Sequence, residues 1–145
     1  MTHRERVLAA LNHCTPDRVP MDLGSTANTS ITVDVYERLK THLGISSKTV
    51  IGVPEMSIAE VDEPILKHFD IDFRGLWTGY GDKWPGIPEG AVYVIDEWGV
   101  ERCRAPGSPY YDSVRPPMAD GLSLKALDTY PWPDPYDPGR LRGIT

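Results

Sequence analysis

The run Asp17-Arg18-Val19-Pro20-Met21-Asp22-Leu23-Gly24 constrains the chain most. Val19, Met21 and Leu23 fall on one side at a period of two, with Pro20 and Asp22 on the other, the pattern of a short buried strand. Pro20 has no N–H to give to a ladder, so it belongs at the start of that strand or on an edge. Gly24 then opens Ser25-Thr26-Ala27-Asn28-Thr29-Ser30, six small or polar residues that read as a loop at the carboxyl end of the strand. In α/β folds that is the end where ligands sit. Asp22, Ser25 and Asn28 are therefore the first candidates for lining a substrate pocket.

Helical signals stand on both sides of this strand. Thr2-His3-Arg4-Glu5 is a capping box, and the helix it opens runs to about Asn12 with Val7, Leu8 and Leu11 as a narrow apolar stripe. Pro16 stops it. A second helix is predicted from about Thr32 to Leu43, its apolar stripe built on Val35, Leu39 and Leu43 and widened by Tyr36, with Gly44 just past its end. A loop through Pro54 follows, then Ile58, Val61, Ile65 and Phe69 as another stripe, with a helix starting at about Glu63 and ending near Phe69. Pro64 is tolerable in its first turn, after Asp62. Ile71-Asp72-Phe73-Arg74-Gly75-Leu76-Trp77 alternates and reads as the second strand of a parallel pair, since a helical segment separates it from the first. Arg74, near its carboxyl end, is a fourth substrate-binding candidate; the competing reading is an arginine tied to a surface carboxylate.

From Thr78 to Gly90 the chain is turn chemistry. Ala91–Ile95 and Gly99–Arg104 flank Asp96-Glu97-Trp98 as a β-hairpin, and Tyr110–Val114 extends it as a third antiparallel strand. Asp96 and Glu97, adjacent on a strand, face opposite ways and would not share a proton; Trp98 reads as an apolar cap over the sheet. Ser123 caps a short helix through Asp128, and Pro131-Trp132-Pro133-Asp134-Pro135 is a stiff extended connector. Asp137-Pro138 opens a helix that gets no body, so the expectation is a single partial domain, a fragment of something longer. Its parts are 1–77, the hairpin insertion 78–115, and the connector with the start of a helix, 116–145.

Composition narrows the partners. A net charge of -6 and a pI near 5.1 provide no field for nucleic acid or an anionic membrane, and the only tight basic cluster is Arg140-Leu141-Arg142. No apolar run approaches the length needed to span a bilayer, and Val7–Leu11 is too short for a signal-peptide core. Cys14 and Cys103 lie outside any C-x-x-C pattern, so the cytoplasm is the expected compartment. His13-Cys14 reads as a helix end with a small thiol rather than a metal pair, and His42 and His68 as surface side chains. No metal ligands and no catalytic residues are assigned within the chain.

Four pieces taken together carry a resemblance: Arg4–His13, Pro16-Asp17-Arg18-Val19-Pro20, Asp96-Glu97-Trp98-Gly99 and Tyr130-Pro131-Trp132-Pro133-Asp134-Pro135. Their order resembles the amino-terminal part of the uroporphyrinogen decarboxylase superfamily, nearest to its cobalamin-dependent methyltransferase branch. The resemblance implies an α/β fold, the N-terminal portion of a (β/α)8 TIM barrel with an inserted antiparallel β-hairpin, its active cleft at the carboxyl ends of the strands, and often a homodimer. A barrel of this kind takes about 250 residues, so this chain could supply roughly its first third. The resemblance also implies tetrapyrrole or corrinoid-linked chemistry, with zinc-assisted methyl transfer to a thiol as the first reading. The metal would lower the thiol's pKa, and the substrate would be a small molecule or a corrinoid protein. The zinc ligands of that family, a histidine and cysteines of the later barrel, match nothing in residues 1–145. A decarboxylase-type carboxy-lyase is the alternative, although the loop from Gly24 to Ser30 lacks the arginine such enzymes carry there, and Arg74-Gly75-Leu76-Trp77 does not match their aspartate after the second strand. A third reading, from another class, is a non-catalytic module that completes its fold on a partner chain.

Overall fold

The structure, a computed structural model, describes residues 1–144. It is a mixed α/β chain with two small antiparallel sheets, divided into two compact units: Met1–Val53 with Ser57–Leu76, and Pro54–Met56 with Trp77–Thr145. Among the described residues no helix is long and apolar enough to cross a membrane.

In the first unit α1 (His3–Leu11) is closed by the predicted capping box. The Thr2 hydroxyl accepts the Glu5 amide at 3.2 Å and the Glu5 carboxylate accepts the Thr2 amide at 2.8 Å. Its apolar stripe does not hold it down: Leu11 is 70% exposed, and the buried residue of the helix is Arg6. In α2 (Val33–Leu43) Gly44 takes the left-handed conformation that ends the helix, φ 67. The stripe of α2 is rotated from the expected one. Tyr36 is its centre, fully buried with Ala59 and Ile65, while Val35 stays 46% exposed. Lys40, one turn beyond Tyr36, is also buried; its ammonium donates to Ser47 O at 2.8 Å and to the Thr49 hydroxyl, and sits 5.0 Å from the Tyr36 ring centre.

Residues 50–60 depart from expectation. The segment expected as a loop holds β1 (Val50–Val53), which pairs antiparallel with β2 (Ile58–Glu60), Val50 opposite Glu60 and Ile51 opposite Ala59. The helical spacing of Ile58, Val61 and Ile65 arises because a strand runs into α3 (Glu63–His68) through a turn, not because one helix carries all three. Conversely, neither Val19–Leu23 nor Ile71–Trp77 forms a strand. The two segments share one backbone hydrogen bond, Asp72 N–H to Met21 O at 3.0 Å, and Pro20 can add none. A parallel pair with no flanking strand has too few ladder bonds to hold an extended register, and Val19 is 79% exposed.

The second unit is built on the expected meander. β3 (Tyr93–Ile95), β4 (Glu101–Cys103) and β5 (Asp112–Arg115) pair antiparallel in that order. Val94 and Tyr111 are its buried apolar residues, and the Tyr111 hydroxyl donates to Ala91 O at 2.7 Å. Trp98 is half-exposed, and its carbonyl accepts the Tyr130 hydroxyl. Ser123 caps α4 (Leu124–Thr129) by accepting the Ala126 amide at 3.1 Å, and Asp137 caps a single 3₁₀ turn, Pro138–Leu141, by accepting the Gly139 amide.

At Gly79 and Gly139 two backbone stretches come close enough to exclude any side chain. A Cβ on Gly139 would lie 2.5 Å from Tyr80 O, and one on Gly79 would lie 2.1 Å from Gly139 O. Gly139→Ala is therefore expected to destabilise this unit by about 1–3 kcal/mol through overpacking against backbone that cannot step aside. Tryptophan fluorescence in urea reads the effect directly, because Trp77, Trp84, Trp98 and Trp132 all belong to the second unit.

Candidate functional site

The loop after Met21 is a closed turn. The Asp22 carboxylate accepts the Ser25 amide at 3.2 Å and also its hydroxyl, so the two side chains are spent on each other. Gly24 has φ 83 and its amide donates to Thr29 O at 3.0 Å; a Cβ there would lie 2.5 Å from the Val61 side chain. Thr29 ends a 3₁₀ turn, Ala27–Thr29, that leaves Asn28 exposed. Ser30 then anchors the loop by donating to Ala59 O at 2.6 Å. Asn28 is the loop candidate whose side chain remains available, while Asp22 and Ser25 shape the loop that presents it.

Arg74 stands apart from them. Its guanidinium forks onto Glu63 at 2.7 and 3.1 Å, and its remaining Nη1 donates to Ile71 O and Phe73 O at 2.7 and 2.8 Å. Glu63 is about half exposed, so this is an arginine engaged with a surface carboxylate and with its own backbone. The structure brings Asp22 and Ser25 together and ties Arg74 into a different set of partners.

The loop is held from below by a charge cluster that the sequence pattern did not single out. Asp72, whose side chain is fully buried, accepts Arg6 Nη1 at 2.5 Å, Arg18 Nη1 at 2.5 Å and the Met21 amide at 2.8 Å. Arg6 also grips Asp17 at 2.6 and 2.9 Å, and Arg18 reaches Asp70 at 2.8 Å; Asp70 in turn meets His3 at 2.7 Å. Burial alone would push the Asp72 carboxyl up, but the Met21 amide and the two guanidiniums outweigh it and hold it below the usual carboxylate range. Asp17 is held low by the Arg6 hydrogen bonds, and Asp70 by His3 and Arg18. Arg18 meets Asp70 and Met21 meets Asp72, so contacts climb both segments in the same order, as in a parallel pair. Alternation of Asp72 with Ile71 and Phe73 was visible; its partners lie 54 and 66 residues away, beyond any local signal.

Two concavities accompany these elements. In the first unit Met21, Leu23, Ile31, Val35, Leu39, Phe69 and Ile71 line a groove of about 400 Å³ that is almost wholly apolar. In the second, Gly81, Trp84, Glu97, Trp132, Asp137 and Arg140 are among the residues around a cleft, also of about 400 Å³, with a mixed lining. There Asp96 and Glu97 go separate ways: Asp96 accepts Arg102 Nε at 2.7 Å and the Trp98 and Val100 amides at 2.9 Å, whereas Glu97 is forked by Arg140 at 2.8 and 3.1 Å. Each acid has its own arginine.

These residues do not fit a zinc site. Among the described residues no three His, Cys, Asp or Glu side chains gather to hold a metal ion; Cys14 is exposed at the end of α1 and Cys103 lies in β4. No metal chemistry is assigned to residues 1–144. Against known proteins, no family model, no curated protein and no solved structure matches the chain.

Proposed function

We propose that the chain forms the opening β/α portion of a uroporphyrinogen decarboxylase-like (β/α)8 barrel, from an enzyme that transfers a methyl group between a corrinoid and a thiol, with zinc ligands supplied by residues outside 1–145. The observation that carries this reading is the convergence on Asp72. Arg6, Asp17 and Arg18, which belong to the pieces that carry the resemblance, are joined to Asp72 directly or through Arg6, and they set two extended segments side by side with a loop at the end of the first. Those segments would become neighbouring barrel strands once flanking strands supplied the missing ladder bonds. In that setting Asn28 offers a free amide to substrate, and the Asp22–Ser25 turn fixes where it points. A carboxy-lyase acting on a many-carboxylate tetrapyrrole gains less support, because the loop offers no guanidinium and Arg74 is already occupied by Glu63.

The test is the reading frame beyond codon 145 and the product it encodes. An in-frame histidine with paired cysteines, and a full translation product that binds one zinc and demethylates methylcobalamin in the presence of a thiol, is the expected result. A stop at that point together with a separate partner frame would sink it and favour the second reading, a module completed by another chain. The observation behind that second reading is the apolar groove of the first unit, which either a flanking strand or a partner would cover.

A further inference from the structure

The mixed cleft of the second unit is used by nothing described so far, and its chemistry is uneven. Trp84 and Trp132 supply aromatic wall, and at about 400 Å³ it has the volume of a small-molecule site. Asp96 and Glu97 are paired with Arg102 and Arg140, while Asp134 and Asp137 have no guanidinium of their own and share the field of Arg140 and of the exposed Lys83. Asp137 is nine-tenths buried. Its Oδ1 accepts the Asp82 and Gly139 amides, both at 2.9 Å, while among the described residues none donates to its Oδ2. The same two amides hold its carboxyl below the ordinary range, so the charge persists at neutral pH. The Trp84 ring lies tilted on Tyr80 with centroids 4.3 Å apart.

We propose that this cleft binds a small organic cation, an ammonium or guanidinium group on an apolar body. The charged end meets Asp137 Oδ2, and the body lies against the indoles of Trp84 and Trp132, whose faces attract a cation as well as excluding water from it. An anion would meet four carboxylates in the lining, Asp96, Glu97, Asp134 and Asp137, against two cations, Lys83 and Arg140, and a neutral alcohol would gain nothing from that excess of negative charge. The inference does not rest on the barrel reading, since every residue it uses lies in the second unit.

The experiment is a tryptophan-fluorescence titration of the whole chain with butylammonium and butylguanidinium, with butanol as the uncharged counterpart, at fixed ionic strength. Saturable binding of the cations at least tenfold tighter than butanol is expected. Asp137→Asn, which keeps an oxygen for the two amides and removes the charge, should weaken cation binding about tenfold. Lys83→Ala should strengthen it about twofold by removing the like charge, without touching the fold. Equal responses to butanol and the cations, or weaker cation binding by Lys83→Ala, would overturn the proposal even if Asp137→Asn failed to fold.

Discussion

Asp72→Ala is expected to destabilise the first unit by about 3–5 kcal/mol, the cost of leaving opposite charges buried without their partner. Arg6 keeps Asp17, and Arg18 keeps Asp70, but both guanidiniums lose the fully buried carboxylate they share, and the Met21 amide loses its acceptor. The loss is larger than that of a surface ion pair because one side of the cluster is closed to water, where charge–charge attraction is less screened. Circular dichroism reads it best, since α1 and α2 both lie in this unit, while tryptophan fluorescence, confined to the second unit, provides an internal control. The pH dependence follows from the same cluster. Asp17, Asp70 and Asp72 all have folded carboxyls held below their ordinary value. A depressed carboxyl contributes stability that is fully present above the unfolded value of about 3.9 and is lost as pH falls through it toward the folded pKa. The circular-dichroism midpoint in urea should thus be flat from pH 7 to about 5 and fall steeply below about 4. In Asp72→Ala the fall should be shallower. An equally steep fall in the variant would show that the acid sensitivity lies elsewhere.

The second large effect is expected at Tyr36. Tyr36→Ala removes a fully buried ring from the centre of the first unit's core and should cost about 3–5 kcal/mol. The neighbours that would have to collapse into the space include Ala59 and Ile65, one of them on a strand and the other on a helix, so relaxation is limited. Tyr36→Phe separates packing from polarity. The ring stays, but the Asp62 amide, which donates to the phenol oxygen at 2.9 Å, loses its acceptor, for about 1 kcal/mol. Burial raises the Tyr36 phenol above its ordinary pKa, so the hydroxyl remains neutral throughout the range in which the protein would be studied. Comparable losses in the two variants would mean that the hydroxyl, not the ring, is what the core depends on.

What could be read from the residues alone follows the range of the forces involved. Caps and turns are decided within four residues, and Thr2 with Glu5, Gly44, Ser123 and Asp137 were legible for that reason. The hairpin at Asp96–Gly99 was legible because alternation on both sides of a turn is also local. Two apolar runs misled. Val50–Val53 is too short and too near Pro54 to announce a strand, and Ile58 borrowed a helical spacing from residues in the next element. Val19–Leu23 carried a true strand pattern but found a single backbone hydrogen bond to its expected neighbour, so its local preference was not satisfied by tertiary pairing. At the candidate site, the positions of Asp22, Ser25 and Asn28 on one loop were legible. That Asp22 and Ser25 are bound to each other depends on a backbone turn, and the role of Asp72 depends on arginines far away in sequence, neither of which composition or period can announce.

Lys40 has a chemical consequence of its own. The chain has five lysines, and Lys48, Lys67, Lys83 and Lys125 are exposed, whereas the amine of Lys40 is enclosed by Ser47, Thr49 and the Tyr36 ring. Acylating reagents should therefore modify the four exposed lysines and the Met1 α-amine within minutes and spare Lys40, and peptide-level mass spectrometry of the slow Lys40 adduct becomes a clock for breathing of the first unit, readable without any engineered label.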